Sequence, residues 1–110
     1  MGERAHRKPI YSSRADDPEL REAIDAFLVA LGERVDALQD ADRAGDLEQL
    51  GALGGGLRRD ANELGFEPIA GCAEAVEHAC RAGKAEDAHR LLVGLTEVCE
   101  CARRGYRGAA

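Results

Sequence analysis

The sequence has no tryptophan and only two phenylalanines and two tyrosines among its 110 residues. A core without many bulky aromatic rings must be filled by leucine, alanine and valine, which is the usual filling of a helix bundle. The length allows one modest core and is too short for two. The chain is therefore predicted to be a single all-α domain.

Basic charge is also scarce, because 15 Lys and Arg residues stand against 21 Asp and Glu residues, a formal net charge of −6. Nucleic-acid binding needs a basic patch that neutralises phosphates, so no nucleic-acid partner is expected. No apolar run approaches the roughly 20 residues of a membrane span, and the N-terminus lacks the apolar core of a signal peptide. These absences predict a cytoplasmic protein with no membrane partner.

Four cysteines in a chain without a secretory leader are expected to be free thiols. Cys72 and Cys80 share a predicted inward face, and folding the last two helices together brings Cys72 near Cys99. Cys99 and Cys101 lie two apart on a helix and point in different directions, which is poor geometry for a metal or a redox pair. Cysteines that pack as small hydrophobic side chains are favoured, so no metal and no cofactor are expected.

The segment from Asp46 to Phe66, DLEQLGALGGGLRRDANELGF, combines a helical apolar stripe with a cluster of glycines. The stripe recurs at helical spacing at Leu50, Leu57, Ala61 and Leu64. The cluster consists of Gly51, Gly54, Gly55 and Gly56. Because each glycine costs a helix about 1 kcal/mol relative to alanine, a need for space or a lost side-chain function must outweigh helix propensity here.

The first helix is predicted to start at Asp17, where an N-cap side chain precedes Pro18 and Glu19. Its apolar stripe continues well beyond Gly32 and consists of Leu20, Ile24, Phe27, Leu28, Leu31, Val35, Leu38 and Ala41. This pattern fits either two abutting helices or one long helix that bends near Gly32. The single bent helix is favoured.

Glycines at positions 45, 65 and 83 are predicted to end successive helices. Asp46 with Gln49 predicts a capped start for the glycine-rich helix, and Phe66 with Pro68 opens the next one, whose inward face is Ile69, Cys72, Ala73, Val76 and Cys80. The last helix is expected to fade after Arg104. Short connections make successive helices antiparallel neighbours, so residues 14–106 are predicted to form an antiparallel up-down four-helix bundle with an additional N-terminal helix. A mobile arm (1–13) and a flexible tail (107–110) flank it.

The glycine-rich helix resembles the active helix of the histidine-containing phosphotransfer (HPt) domains of bacterial phosphorelays. Their motif, L-x-x-x-A-H-x-L-K-G-x-A-x-x-x-G, aligns without a gap from Leu50 to Gly65, and the wider resemblance covers residues 10–104. In this alignment the phosphoacceptor histidine falls on Gly55, the lysine becomes Arg58 and the following glycine becomes Arg59. The resemblance implies an HPt-like bundle that cannot be phosphorylated at this position and is not an enzyme.

The same resemblance implies a partner, which is the receiver domain of a response regulator or a histidine kinase. Docking would use the glycine-rich helix and the helix before it. The implied partner-binding residues are Arg58, Arg59, Gly55, Gly56 and Asn62. A bacterial subgroup of phosphotransfer domains also has a short apolar tether before its first helix, which implies that residues 9–11 can pack across the bundle.

Several other interpretations of these features stay open. One is that residues 54–56 only allow the helices to pack closely, which is compatible with lost activity. Another is that Arg58 and Arg59 are part of a solvated surface, as exposed arginines usually are. One of His6, His78 and His89 can be a relocated acceptor in an active phosphotransfer protein. A third hypothesis is that the chain is a helical module that forms a homodimer and has no role in signalling. A phosphate-binding P-loop is disfavoured, since the glycines lie inside a helical stripe.

Overall fold

The computed structural model describes residues 8–109, without the side chains of residues 107–109. Four helices follow one another in this range: α1 (Arg21–Arg43), α2 (Leu47–Glu63), α3 (Glu67–Arg81) and α4 (Ala85–Ala109). The described residues contain no strand, and no helix among them has the length and apolarity of a membrane span. The all-α prediction is confirmed. His6, in the predicted arm, lies outside the described residues.

The helices form a four-helix bundle in which α1 and α3 each pack against both α2 and α4. Contacts between opposite ends show the helix directions. Asp42 near the end of α1 reaches His89 near the start of α4, and Gly51 in the first half of α2 lies against Cys80 near the end of α3. Neighbouring helices therefore run antiparallel, as the short connections predict.

Helix α1 is one continuous helix of 23 residues, which agrees with a single helix rather than two. No separate additional N-terminal helix is present in residues 8–109. The predicted start is wrong by several residues, because the Asp17 carboxylate accepts the N–H of Glu19 at 2.9 Å. That bond closes a turn before the helix, and the residue at the N-cap position, Leu20, has no side-chain cap.

The three predicted helix-ending glycines are confirmed, and each has a positive φ: 70° at Gly45, 82° at Gly65 and 71° at Gly83. A left-handed residue at this position lets the next N–H reach back to a carbonyl of the last turn. Beyond the first of these turns, the carboxylate of Asp46 accepts the N–H of Gln49 at 3.0 Å. These local signals fix where α2, α3 and α4 begin.

The core consists mainly of leucine, isoleucine and alanine side chains, with one stacked aromatic pair, Phe27 and Phe66, at 5.2 Å between ring centroids. The predicted stripes face inward, and their most completely buried members include Leu31, Leu38, Leu50, Leu57, Ile69, Val76 and Leu95. Cys72 and Cys80 are only half-buried, whereas Cys99 and Cys101 are buried. None of these four cysteines forms a disulfide bond.

Residues 8–13, called here the strap, cross one end of the bundle without forming a helix or a strand. The N–H of Ile10 donates to the carbonyl of Cys101 at 3.1 Å, and the N–H of Ser13 donates to the carbonyl of Gly65 at 2.8 Å. The strap thus joins α4 to the α2–α3 turn, so residues 9–11 pack across this end of the bundle. Helix α4 continues beneath it to Ala109 instead of fading after Arg104.

Gly105 makes room for the strap, because a Cβ there would lie 2.7 Å from the backbone oxygen of Ile10. Gly94, also in α4, has no heavy atom within 4 Å of such a Cβ in the described part of the chain. We expect Gly94→Ala to raise the free energy of unfolding by roughly 0.5–1 kcal/mol through helix propensity. Gly105→Ala is expected to lower it, because the strap must lift and lose hydrogen bonds worth about 1 kcal/mol each.

Urea denaturation of the two variants and the parent chain measures this difference. An equal gain of stability in both variants would show that the strap does not occupy its place on α4.

Candidate docking site around Gly55

The glycines of α2 let this helix approach α3 closely. A Cβ on Gly51 would lie 3.1 Å from the Cβ of Cys80, and one on Gly54 would lie 3.6 Å from the carbonyl oxygen of Ala73. Gly54 and Gly55 are buried, whereas Gly56 is turned toward Arg34 of α1. Close packing is thus tightest at Gly51. Of residues 54–56, Gly54 and Gly55 face α3, and a Cβ on Gly54 would be at ordinary contact distance.

The space beside Gly55 is occupied by the carboxylate of Glu77 from α3. A Cβ on Gly55 would lie 2.9 Å from Oε2 of this side chain. In the described part of the chain, Glu77 is the one charged residue that is buried. The position that the HPt resemblance assigns to an exposed phosphoacceptor is therefore buried beneath a carboxylate.

Two arginines hold this carboxylate. Arg58 donates its Nε–H to Oε1 at 2.7 Å, and Arg81, one turn further along α3, donates from Nη2 to Oε2 at 2.9 Å. The hydrogen bond from Arg58 lowers the pKa of Glu77, burial opposes this effect, and the charges of Arg58, Arg81 and Arg59 lower the pKa further. The net shift is downward, so the carboxylate is ionised at neutral pH.

Sequence reasoning did not single out Glu77. A signal was present, because Glu77 follows Val76 on the inward side of α3 and has Arg81 four residues on, a spacing that favours a helical ion pair. The sequence could not show the space beside Gly55 that the Glu77 carboxylate fills, because this space forms only when α2 packs against α3.

The predicted partner-binding residues are divided over three surroundings. Arg58, Arg59 and Asn62 line one open depression of about 520 Å³ together with Asp60 and Glu63. Arg59 and Asn62 are exposed there, but the Nε of Arg58 is bonded to Glu77 and its side chain is only 29% exposed. Gly55 faces α3 rather than a partner.

Gly56 instead borders the surface between α1 and α2. A shallow groove of about 260 Å³ runs along these two helices and is lined by Ala30, Glu33, Arg34, Ala37, Leu38, Leu53 and Leu57. Arg34 crosses its edge, where its guanidinium bonds Asp60 at 2.7 Å. The HPt resemblance implies docking on these two helices. The groove between them is small and mainly apolar, and the charged Arg34 and Asp60 lie at its edge.

The two histidines in the described residues lie far apart in the sequence and have different surroundings. His78 is exposed on α3. His89 is also exposed, but its Nδ1 is 2.6 Å from the Asp42 carboxylate, beside a depression of about 320 Å³ that Arg43 and Thr96 help to line. The hydrogen bond to Asp42 fixes the ring and leaves Nε2 directed away from that carboxylate.

No metal centre is formed among residues 8–109, since no three potential His, Cys, Asp or Glu ligands come together there. Burial raises the pKa of the Cys99 thiol to about 12, with a further contribution from the neighbouring Cys72. The predicted proximity of Cys72 and Cys99 agrees with this coupling. A thiol with so high a pKa is a poor nucleophile and acts as a core side chain.

Replacing Gly55 tests whether the Glu77 carboxylate fills this position. Gly71→Ala, on the open surface of α3, should gain roughly 0.5–1 kcal/mol from helix propensity. Gly55→Ala is expected to be less stable than Gly71→Ala, because its Cβ displaces Glu77 from its arginines. In a Glu77→Ala background the two glycine substitutions should become equally stabilising. Equal effects in the parent chain, measured by urea denaturation, would contradict the contact.

Comparison of the chain with family models, with curated proteins and with solved structures finds no match. The resemblance to HPt domains therefore rests on the residues from Leu50 to Gly65 and on the helical architecture.

Proposed function

We propose that this chain is a catalytically silent HPt-like domain of two-component phosphorelay signalling, which binds a receiver domain or a histidine kinase without accepting phosphate. The observation that supports the proposal most directly concerns residue 55, which is a glycine. It has no side chain, and the neighbouring space holds the carboxylate of Glu77.

Phosphoryl transfer to this position fails for two physical reasons. A nucleophilic side chain is required to attack the phosphoryl group, and glycine has none. In addition, an incoming phosphoryl group carries negative charge that must be stabilised by nearby cations. At Gly55 it would instead meet the ionised Glu77, which already occupies the hydrogen-bonding capacity of Arg58 on that side.

Docking without transfer is supported by the surface beside this position. Arg59 and Asn62 are exposed on α2, and the apolar groove between α1 and α2 adjoins them through the Arg34–Asp60 pair. Small and apolar residues let a partner helix approach closely. An exposed arginine attracts an acidic partner and acts mainly on the rate of encounter and its salt dependence.

A second candidate function is active phosphotransfer through His89, which is favoured by the hydrogen bond from its Nδ1 to Asp42. A carboxylate on one ring nitrogen orients the imidazole and fixes its tautomer, as it does in metal-binding and catalytic histidines. Arg43 supplies a cation at the same depression. His78 has no comparable carboxylate contact recorded among its described neighbours and is the natural control.

One experiment separates the candidates. The full chain is titrated with a panel of receiver domains, unphosphorylated and phosphorylated, and binding and acid-labile phosphate are measured on the same samples. The proposed function predicts weak, salt-sensitive binding to at least one receiver and no phosphate on the chain. Phosphate that appears on the chain and is lost in His89→Gln, but not in His78→Gln, would establish the second candidate instead.

The binding face is tested with Arg59→Glu, which is expected to abolish that binding. Arg90→Glu is the matched control, because Arg90 is an exposed arginine on α4 and the same charge change there should leave binding intact. Arg58 is unsuitable for charge reversal, since a glutamate at 58 would face Glu77 and disturb the fold. Equal loss in both variants, or absence of binding to any receiver or kinase, would overturn the proposal.

A further inference from the structure

Glu77 is unusual among the charged residues of the described chain because it is buried, and it lies between α2 and α3 beside Gly55. Its carboxylate lies between α2 and α3 and takes one hydrogen bond from an arginine of each helix, Arg58 and Arg81. Two arginines that converge on a carboxylate-sized space form the arrangement that proteins use to bind carboxylates and phosphates. Here the bound group belongs to the chain itself.

Both arginines remain accessible from outside. The side chain of Arg81 is 70% exposed and that of Arg58 is 29% exposed, whereas that of Glu77 is 12% exposed. Arg59 lies near enough to act electrostatically on the same carboxylate. An external anion that reached this point would meet the guanidinium groups of Arg58 and Arg81, provided that the internal carboxylate had moved away.

The structure also provides a route for that movement. A groove of about 440 Å³ opens beside Glu77, lined by Leu47, Glu48, Gly51, Ala52, Cys80 and Arg81. The glutamate side chain has three rotatable bonds, and the recorded hydrogen bonds of its carboxylate are those to the two arginines. Rotation into this groove would bring the carboxylate toward water and away from Arg58, which does not line the groove, while Arg81 and Glu48 do.

We infer that Glu77 is an internal plug of an anion-binding site formed by Arg58 and Arg81 over Gly55, and that the ligand of this site is a carboxylate side chain of an acidic partner protein. The exchange is nearly neutral in charge, since one carboxylate replaces another between the same arginines. Binding without displacement is disfavoured, because two carboxylates would then lie in contact. A partner carboxylate must therefore compete with Glu77 for the two arginines, so only a partner that makes further contacts binds.

This inference deepens the proposed function, on which its biological meaning rests, because it states how docking at the Gly55 region would be regulated. While Glu77 occupies the site, a partner carboxylate binds only to the fraction of molecules in which the Glu77 side chain has rotated away. The apparent affinity for the partner is the intrinsic affinity of the open site multiplied by that fraction. Weak binding by the parent chain and stronger binding after removal of the plug follow directly.

The test uses the full chain and acetate as the probe, followed by amide and arginine side-chain NMR resonances. Glu77→Gln should bind acetate more tightly than the parent chain by up to about tenfold, because a neutral amide holds the two arginines less strongly than a carboxylate does and a minor open state is typically populated at about 10% or less. The shifted resonances should be those of Gly55, Arg58 and Arg81. Glu74→Gln is the matched control, with the same charge change on an exposed residue of α3 whose charge also acts on Arg58.

The outcomes are distinct. Equal gains in Glu77→Gln and Glu74→Gln would mean that only net charge had changed, and this would overturn the plug. Binding of inorganic phosphate but not of acetate at the same ionic strength would overturn the carboxylate assignment. Acetate binding that appears in Glu77→Gln in a chain that no receiver binds would leave the plug standing while the proposed function fails.

A second measurement on the unsubstituted chain covers the case in which Glu77→Gln does not fold. Acetate at several hundred millimolar, an amount chosen to compete with a tethered group of millimolar or higher effective concentration, should shift the Cδ resonance of Glu77. Chloride at the same ionic strength should not. Equal responses to the two salts would contradict displacement of the plug.

Discussion

The close approach of α2 to α3 is the constraint on which the rest of this structure depends. The tightest contact with a Cβ is at Gly51, where a Cβ would lie 3.1 Å from that of Cys80, and a Cβ on Gly55 would meet the Glu77 carboxylate. Gly54 has room for a Cβ at ordinary contact distance. The glycines cost helix stability, and the packing of the two helices offsets that cost. The same approach brings Glu77 over Gly55 and places its carboxylate within reach of Arg58, so the chemistry of this region follows from the backbone.

This arrangement changes the meaning of the HPt-like motif. An exposed imidazole at position 55 would require the adjacent space to be open to a partner, yet in this chain the space is closed by an ion pair between helices. The positive charge that replaces the motif lysine is retained at Arg58 but directed inward, whereas Arg59 is directed outward. A partner that recognises the α1–α2 surface would therefore meet a cation and a groove, and no nucleophile.

The parts of the fold that could be predicted from sequence are those that local chemistry determines. The positive-φ glycines at 45, 65 and 83 and the Asp46 cap act within a few residues, and apolar spacing reports a buried face directly. The start of α1 was misjudged because Asp17 had a competing bond to Glu19 two residues away. The pairing of Arg58 with Glu77 and the contact of the strap with Gly105 join distant segments. Composition and spacing along the chain do not determine such contacts, although spacing gave a partial signal for Glu77 through Arg81.

The central claim, that Glu77 is held as a carboxylate by Arg58 in the space over Gly55, is tested most directly by a pH titration of the Glu77 Cδ resonance in the folded chain. The account predicts a pKa below the usual glutamate range and a rise of that pKa in Arg58→Gln. A lowered pKa in the folded state stabilises the fold at neutral pH, and this stabilisation is lost as the pH falls through the folded pKa. A titration within or above the usual range, which burial without the arginine would produce, would contradict the account.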